Sequence, residues 1–579
     1  MENAQPKRIA VIGAGAKGVA LATKAWALRR AGMQYSPEIV IFEKLQVGSL
    51  WSGDHGYSDG YERLCTPIER DLGFPYFDSV NSKNPDFDSQ PFSKEHSGLE
   101  SDEEPSAIEL HNGVSLVMLN EFSFQSYLIQ ESSSLKTNRH LDFVNKNRRS
   151  FTHRQFHYYL EWALKQTERD IGEAPSPVTV KLGAEVLEID HDTDIKKWKV
   201  TYQRYKSKGS ESTNPNIDPI TEIFDAVIIS GVGEAKKPKT ETIDAPAVSG
   251  VGETKKPSSG WTIADDNPRY FNACSFWIDG YAQIVSYYSH GKGMQKLKDK
   301  KSPETSYSSE RAPEVIILGN GGAAWSIAAK LAQLLPSLDI LMLGRKSAPL
   351  ARNPNSYVEN YYGNNVSWSS LSVDKKLSFN NLWTQGAVWN AVVCQVDTAE
   401  NIIYRSENCS RCNAPSIKVD NTCEVFFEDS PNIESETPLE SDFIIDSRGF
   451  ETTSHIIKFF DESELSIDIK RGIEYLEDTS KELSKDRTNA RIATDSNGVI
   501  FIELGKDHEN ENSGTDDNIK TTMKQSLGIS KYMELRGDES TIPAGLHIPE
   551  LCNLVGPAAS NLMALGWLAD TILTLYIDK

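Results

Sequence analysis

Two strand–turn–helix–strand units predict an α/β fold with two interleaved Rossmann-like domains. One unit begins near residue 7 and the other near residue 314, and each places a glycine-rich turn between an apolar run and a helical pattern. This alternation is typical of parallel sheets with helices packed on their faces. The chain has 579 residues, enough for about two to four domains at roughly 150 residues each.

Both units have the same order of predicted elements, assigned from the spacing of their apolar residues. In the first unit we expect a strand, a helix and a strand at residues 7–12, 16–31 and 38–42. In the second unit we expect the same elements at residues 314–318, 323–335 and 338–343. The second unit lies within the chain of the first, so we expect one domain to be inserted in the other.

The first turn carries Gly13, Gly15 and Gly18 in the pattern GxGxxG. Glycines are needed there because the turn is tight, the backbone must approach a pyrophosphate, and the helix must pack closely on the strand. Glu43 ends the next strand, where a carboxylate accepts hydrogen bonds from ribose hydroxyls, and Lys44 follows it. This turn therefore predicts an FAD or NAD site, with a purely structural glycine turn as the alternative.

The second turn carries Gly319, Gly321 and Ala324 in the pattern GxGxxA. Arg345 and Lys346, rather than an acid, follow its second strand. Two cations would hold a ribose 2′-phosphate that a carboxylate would repel, so this site suits NADPH. The alternative for the two cations is a solvated loop end. Two dinucleotide sites in one chain favour a flavoprotein oxidoreductase, in which one nucleotide reduces the other.

Further elements are predicted between and after the two units. Thr152 and Gln155 form a capping box ahead of an amphipathic helix. Strands are expected at residues 185–189, 198–203 and 224–230. Residues 551–577 predict a strand, a turn at Gly556 and a closing helix.

The charge of the chain is concentrated in a few segments. Lys and Arg number 61 against 82 Asp and Glu, a net charge of -21. Three acidic stretches, predicted to be surface insertions, contribute -6, -6 and -5 and lie at residues 78–105, 424–441 and 503–517. Negative charge disfavours binding to nucleic acid and to anionic lipid surfaces.

The seven cysteines are an odd number spread along the chain, which does not indicate a disulfide framework. Cys409 and Cys412 form a CxxC pair, but with Cys423 they lack a fourth ligand at zinc-binding spacing, so no metal is predicted. No apolar stretch of the length of a membrane span is evident. We therefore expect a cytoplasmic protein. Whether it forms a homo-oligomer is left open by the sequence.

Four segments of the chain form a recognisable set: IAVIGAGAKGVALATKAWALRRAG at the start, VGSLWSGDHGYSDGYERLCTPIERDLGFPY at 47–76, FSFQSYLI at 122–129 and FTHRQFHYYLEWAL at 151–164. Together they resemble the flavin-dependent N-hydroxylating monooxygenases of siderophore biosynthesis, and among them the mycobactin-type lysine N-hydroxylases. The resemblance implies that NADPH reduces FAD, that oxygen then forms a flavin hydroperoxide, and that a neutral side-chain amine attacks it. No catalytic protein base is implied, because the chemistry takes place on the flavin.

The resemblance also implies roles for individual residues. Arg70 of the Arg70-Asp71-Leu72 triplet matches a lysine that binds the substrate carboxylate, with a surface pair between Arg70 and Asp71 as the alternative. Asn360 matches an asparagine that contacts the substrate. Trp51 matches the aromatic start of the flavin-binding block, and Cys65 falls where the family has a flavin-shielding glutamine.

Two further regions are implied to contact the cofactors. Arg154 resembles an arginine near NADPH, although an arginine at a helix start is as often merely solvated. The loop from Gly556 to Leu562 resembles the segment that closes over the flavin. Ser52 and Arg448 depart from the family pattern, as Cys65 does.

The expected organisation has three parts. Residues 1–235 start the FAD-binding domain, 260–450 form the inserted NADPH-binding domain, and 451–579 complete the substrate- and FAD-binding region. A small substrate-binding portion is expected at about residues 350–395. The implied activity is N-hydroxylation of lysine or an acylated lysine by FAD, NADPH and oxygen. An ornithine or diamine hydroxylase, and a dinucleotide-binding protein without turnover, are the alternatives.

Overall fold

Both predicted units form parallel sheets in the computed structural model of the chain. The structure describes the following residues: 5–33, 35–54, 58–76, 107–135, 139–145, 150–204, 218–231, 233, 269–290, 293–295, 312–344, 350–352, 368, 370–372, 375–376, 387–399, 401–406, 417–419, 423–425, 439–447, 452–460, 490–494, 500–504, 528–530, 532–536, 542–552, 556, 559 and 561–577.

The strands are numbered in chain order. They are β1 Arg8–Ile12, β2 Glu38–Glu43, β3 Arg63–Pro67, β4 Ser150–Thr152, β5 Val178–Leu182, β6 Ala184–Asp192, β7 Lys197–Arg204, β8 Ile220–Phe224, β9 Ala226–Ile229, β10 Tyr270–Asn272, β11 Val315–Leu318, β12 Ile340–Gly344, β13 Leu350–Arg352, β14 Ala387–Trp389, β15 Ile402–Ser406, β16 Ile417–Val419, β17 Cys423–Val425, β18 Leu439–Ser441, β19 Phe443–Asp446, β20 Ala490–Thr494, β21 Ile500–Leu504, β22 Gly528–Ile529, β23 Leu535–Arg536 and β24 Leu546–His547.

The α-helices are numbered in the same way, and four 3₁₀ turns accompany them. The helices are α1 Ala16–Arg30, α2 Ala107–Phe122, α3 Phe124–Leu135, α4 Arg139–Asn145, α5 His153–Thr167, α6 Ala273–Ser275, α7 Tyr281–Ser289, α8 Gly322–Leu334, α9 Asn390–Asp397, α10 Thr452–Ile457 and α11 Leu565–Leu573. The 3₁₀ turns are Ser49–Trp51, Lys458–Phe460, Pro549–Leu551 and Thr574–Tyr576. A π-helical stretch, Phe276–Gly280, joins α6 to α7.

The first sheet has the strand order β24–β9–β1–β2–β5, and all its pairs are parallel. The second sheet has the order β10–β19–β11–β12–β15 and is also entirely parallel. β24 comes from the end of the chain, after all strands of the second sheet. This order confirms two interleaved α/β units, the second inserted in the first.

The predicted elements of both units are present within a residue or two of their expected ends. Their strands are mainly apolar because parallel strands are covered on both faces, and β1, β9 and β11 are almost fully buried. The expected boundaries at residues 235, 260 and 450 lie outside the described residues.

The helix α1 is buried from Ala16 to Leu28, including two lysines. It packs against α2, α5 and α11, so two helices of the first domain and a helix from the final segment of the chain cover it. Lys24 pairs with Asp570 of α11, and Lys17 pairs with Glu550 at 2.7 Å. Buried charges require partners, and here the final segment of the chain supplies them.

Two expected strands differ from the structure. The strand expected at residues 224–230 is present as β9, but it begins two residues later, because the chain passes at Asp225 from an antiparallel sheet with β7 into the first sheet. Asp225 supports this break by accepting a hydrogen bond from the Arg8 amide at 2.9 Å. Residue 551 does not begin a strand but ends the 3₁₀ turn Pro549–Leu551, since proline fixes φ and lacks an amide donor. The nearest strand, β24, lies before this segment.

The capping box that begins α5 is confirmed. Gln155 donates its backbone N–H to Thr152 Oγ1 at 3.2 Å, and its side chain accepts from the Thr152 amide at 3.0 Å. The helix buries Phe156, Tyr159 and Leu160 on one face. The cap therefore fixes where this amphipathic helix starts and which face it turns to the core.

The acidic stretches are only partly described. Residues 78–105 lie outside the described residues. The stretch 424–441 is not entirely a loop, because its two ends lie in β17 and β18, which pair as antiparallel strands. The stretch 503–517 starts at the end of β21. In the described part of the chain, no helix combines the length and apolar character needed to cross a membrane.

Candidate functional site

The first glycine turn joins β1 to α1 and forms an open cradle, which we name the first cradle (residues 13–18). Gly13 has φ +100°, and a Cβ there would lie 2.8 Å from the Ser230 carbonyl oxygen. A Cβ at Gly18 would lie 2.2 Å from the Gly13 carbonyl oxygen, so turn and helix are in close contact. A Cβ at Gly15 would meet no atom within 4 Å. The cradle is therefore tight where it folds and open where a phosphate would lie.

Glu43 is tied to the first cradle by its side chain. One carboxylate oxygen accepts the Ala14 N–H at 2.8 Å and the other accepts the Leu45 N–H at 2.8 Å. Burial raises the pKa of Glu43, while the two amide donors oppose that rise. Each oxygen retains a lone pair, so Glu43 is positioned to accept a further hydroxyl. Lys44 pairs instead with Glu185 at 2.6 Å and is half exposed.

The second glycine turn, named the second cradle (residues 319–324), joins β11 to α8 in the same way. Gly319 has φ +109°, and a Cβ there would lie 2.7 Å from the Ser447 carbonyl oxygen. Gly321 caps α8 without a side-chain hydrogen bond, and Ala324 is buried within the helix. The helix N-terminus thus offers backbone N–H groups to an anion. Arg345 and Lys346 lie outside the described residues.

The structure brings Arg70 to the final segment of the chain. Its guanidinium donates to the Met563 carbonyl oxygen at 3.5 Å and lies 4.9 Å from the centre of the Phe74 ring. The Phe74 carbonyl oxygen in turn accepts the Gly566 amide at 2.8 Å. A segment near residue 70 and one near residue 565 therefore meet around Arg70, although they are far apart in sequence.

Asp71 is buried and bound by three donors, so it does not form a surface pair with its neighbour. It accepts the Phe124 amide at 2.8 Å, the Gly73 amide at 3.3 Å and the Tyr76 hydroxyl. Burial raises the pKa of Asp71 to about 7, although these hydrogen bonds favour the carboxylate. The residue anchors the turn that presents Arg70. The sequence analysis does not predict this anchoring role. The only feature of the sequence that indicates it is a carboxylate within an otherwise apolar block.

Arg154 is engaged within the first domain. Its Nε donates to the Ser52 carbonyl oxygen at 3.1 Å, and its guanidinium lies 4.9 Å from the centre of the Tyr61 ring. Trp51 packs edge-on against His153 at 5.1 Å between ring centres. Cys65 is partly buried in β3. The described contacts of Arg154 thus brace a loop of the protein; its proximity to NADPH stays a prediction.

The loop expected to close over the flavin is described at few positions. A Cβ at Gly556 would lie 2.4 Å from Cη2 of Trp567, so the ring that this glycine approaches is a side chain of α11. Leu562 is partly buried against the main core. Asn360 and most of the expected substrate-binding portion lie outside the described residues, so these assignments stay predictions.

An ion pair that the sequence did not reveal borders the first cradle. Lys17 Nζ lies 2.7 Å from Glu550 Oε1, which also accepts the Gly231 amide at 3.0 Å. Among the described residues, Glu550 Oε2 is buried without a hydrogen-bond partner. Glu550 follows β24 and Gly231 follows β9, so both lie at the carboxyl edge of the first sheet. Ligands of open α/β sheets bind at this edge. These residues fit a dinucleotide whose hydroxyls approach the edge.

The comparisons with known proteins agree with this geometry. No family model matches the chain. It is 23% identical over 369 residues to L-lysine N6-monooxygenase MbtG of Mycobacterium tuberculosis, an alignment that covers 64% of this chain. The chain thus spans 60% of the length of that relative.

Solved structures share the fold along nearly the whole chain. Lysine monooxygenase NbtG of Nocardia farcinica superposes with a TM-score of 0.56 at 17% identity, covering 98% of this chain and 99% of that chain. The ornithine N-hydroxylase KtzI of Kutzneria sp. 744, solved with reduced FAD, NADP⁺ and L-ornithine, gives a TM-score of 0.51 at 12% identity and covers 99% of each chain.

The fold inferred from the two glycine turns is the fold of these proteins. The sequence similarity is to lysine N6-monooxygenases. With two parallel sheets and two cradles at their carboxyl edges, the chain is similar in sequence to lysine N6-monooxygenases and has the fold of lysine and ornithine N-hydroxylases.

Proposed function

We propose that this protein is an FAD- and NADPH-dependent monooxygenase that hydroxylates the side-chain amine of L-lysine or an N-acyl lysine analogue. Its product would be a hydroxamate precursor for siderophore biosynthesis. One observation carries the proposal: two cradles, each at the start of a helix, occur in a chain whose sequence is similar to lysine N6-monooxygenases.

The first cradle suits FAD and the second suits NADPH. Gly13, Gly15 and Gly18 would hold the FAD pyrophosphate, and Glu43 would accept ribose hydroxyls. In the second cradle, Gly319 and Gly321 would hold the NADPH pyrophosphate, with Arg345 and Lys346 at the 2′-phosphate. When bound, the reduced flavin supplies the activation of oxygen.

The protein's own task is to bind the substrate amine in its neutral form. A free lysine amine has a pKa of about 10.4, so burial in a desolvated pocket is needed to favour the unprotonated form. Arg70 would bind the substrate carboxylate, because a planar guanidinium can donate two parallel hydrogen bonds. Asp71 would hold the turn in place through the Phe124 amide and the Tyr76 hydroxyl.

A second candidate is an ornithine or diamine N-hydroxylase of the same architecture. It is favoured by the fold similarity to an ornithine N-hydroxylase over 99% of the chain. Lysine and ornithine differ by one methylene, which a hydrophobic pocket distinguishes by only about 1–3 kcal/mol. The substrate therefore depends on pocket length.

The deciding experiment compares hydroxylated product from L-lysine, L-ornithine, a diamine and N-acyl lysine with purified protein, FAD and NADPH. Product mainly from lysine or acyl lysine supports the proposal, and product mainly from ornithine or the diamine supports the second candidate. Protein that binds FAD and NADPH but consumes no oxygen with any amine would be a dinucleotide-binding protein without turnover. Protein that cannot bind flavin would contradict all three.

The proposed role of Arg70 is tested by R70A and R70K. We expect R70A to raise KM for the amino acid about 10- to 100-fold, since a charge-assisted pair contributes about 1.5–3 kcal/mol. FAD affinity should stay unchanged, and R70K should recover part of the loss. Steady-state kinetics and flavin titration measure both quantities. Loss of FAD in R70A would show that the residue is structural.

A further inference from the structure

An ion pair connects the two domains. Lys330, on the second-domain helix α8, lies with Nζ 2.8 Å from Asp59 Oδ2 and 3.6 Å from Glu62 Oε1. Both acids belong to the first domain. The side chains of Lys330 and Asp59 are only 16% and 9% exposed, so water screens the pair weakly.

The acids lie on a loop that the first domain holds in place. We name this segment the bridge loop; its described residues are 52–54 and 58–62. Arg154 contacts it at both ends, donating to the Ser52 carbonyl oxygen at 3.1 Å and, through its amide, to the Gly60 carbonyl oxygen at 2.8 Å. The His153 amide donates to the Glu62 carbonyl oxygen at 2.8 Å. The N-terminus of α5 therefore fixes the bridge loop.

Two glycines allow the loop to approach Arg154 this closely. A Cβ at Gly60 would lie 3.0 Å from Arg154 Nε, and Gly60 has φ +82°. A Cβ at Gly53 would lie 2.6 Å from the Asp59 carbonyl oxygen, and Gly53 has φ +89°. Larger residues would separate the loop from α5, so these positions favour the arrangement that presents Asp59.

On the other side of the ion pair, α8 links Lys330 to the second cradle. The helix begins at Gly322, directly after Gly321, and Lys330 lies eight residues further along it. At 1.5 Å per residue this separation is about 12 Å. A helix is rigid over this length, so holding Lys330 also holds the second cradle. Gln395 of α9 donates to the Ala329 carbonyl oxygen at 2.9 Å, which ties this part of α8 to its own domain.

The charges favour a closed pair. Burial opposes the ammonium of Lys330, but the hydrogen bond from Lys330 to Asp59 and the nearby carboxylates outweigh it and raise the pKa of Lys330. Burial also raises the pKa of Glu62, with the charge of Lys330 opposing that rise. Removing the lysine would leave two carboxylates close together and poorly solvated, so the contact would open.

We propose that Lys330 is a positioning residue, whose ion pairs with Asp59 and Glu62 hold the second domain in the orientation that NADPH needs to reduce FAD in the first. The inference rests on the proposed function. It concerns one step, hydride transfer from NADPH to FAD, which leaves NADP⁺ and, with a proton, reduced flavin. The amine-binding residues are not involved.

The test compares the FAD-loaded full-length wild type with K330Q, K330E and the charge-swapped double variant D59K/K330E. K199Q is the matched control, because it breaks the Lys199–Asp192 ion pair within a single hairpin at 2.8 Å. Anaerobic stopped-flow absorbance measures flavin reduction at saturating NADPH. Hydrogen–deuterium exchange without NADPH measures protection of peptides covering residues 58–62 and 322–334, and titration measures FAD affinity.

We expect K330Q and K330E to reduce flavin about tenfold more slowly, a typical size for coupling between sites. Both peptides should exchange faster, while FAD affinity stays unchanged. D59K/K330E should recover most of the rate and the protection, and K199Q should behave as the wild type.

Several outcomes would overturn the inference: a wild-type reduction rate in K330Q, a slower rate without faster exchange at residues 58–62, or no recovery in D59K/K330E. If K330Q does not fold, the reduction rates and exchange of K330E and the double variant are compared with those of the wild type instead. If the wild type binds no flavin or is not reduced by NADPH, the proposed function fails. The hydrogen–deuterium exchange data then test by themselves whether the ion pair holds the two domains together.

Discussion

In the first cradle, we expect neighbouring glycines to serve folding and ligand binding separately. Gly13 needs φ +100° and contact with Ser230, whereas Gly15 has open space at its Cβ position. We expect G13A to lower the stability of the protein by about 1–3 kcal/mol and to lose FAD. G15A should keep the melting temperature of the wild type and bind FAD at least tenfold more weakly. Thermal unfolding and flavin titration distinguish the two variants. Equal destabilisation by G13A and G15A would contradict the separate roles of the two glycines.

Asp71 makes stability depend on pH. Its folded pKa of about 7 lies above the ordinary carboxyl pKa of 3.8, so between these pH values the folded protein binds more protons than the unfolded chain. Stability from this group is therefore present below pH 4 and decreases as pH rises to 7, by at most about 4 kcal/mol. The amide in D71N does not ionise, so the variant lacks this contribution to the pH dependence of stability.

The measurement is the melting temperature of wild type and D71N at pH 5 and pH 7. We expect the wild type to lose more stability than D71N over this range. Y76F serves as the control, since it removes one donor to Asp71 but keeps the carboxyl group. A pH dependence shared equally by wild type and D71N would show that other groups cause it.

At the scale of elements, the cap of α5 supports both the core and the bridge loop. Thr152 makes two reciprocal hydrogen bonds with Gln155, and Arg154 lies between them in the same first turn of the helix. We expect T152A to reduce the free energy of unfolding by about 1 kcal/mol and to increase hydrogen exchange in the bridge loop. T152S retains the hydroxyl and should be close to wild type. Unchanged melting of T152A would mean that packing alone sets the start of the helix.

The elements show where sequence patterns are reliable. α1, α5 and α8 were predicted because their apolar spacing and their glycine or Thr152 starts are local signals. The break between β8 and β9 is not predicted because only Asp225 separates the two strands, and Phe224 at the end of β8 is apolar and buried like β9. Only their different partners, β7 and β1, require the chain to bend at Asp225.

At the scale of the whole molecule, the first domain requires the end of the chain. β24 is an edge strand of the first sheet, and α11 covers α1 with Asp570 beside Lys24. We expect a fragment of residues 1–235 to be unfolded or aggregated, because the face of α1 and the buried Lys24 would lose their partners. A fusion of residues 1–235 to 540–579 through a flexible linker should recover structure and bind FAD. Circular dichroism and flavin titration compare them, and a folded, flavin-binding 1–235 fragment would contradict the expectation.

The sequence by itself determined the two α/β units and their glycine turns, and it predicts the kind of ligand that each turn suits. These features are local, because a tight turn needs glycine and an apolar period follows the geometry of one element. The tertiary structure decided what depends on distant partners: the pairing of Lys17 with Glu550, of Lys24 with Asp570, and of Lys330 with Asp59. The sequence pattern around a helical lysine is the same whether its partner is water or a carboxylate from another domain. Only the packed chain therefore distinguishes a solvated lysine from an ion-paired one.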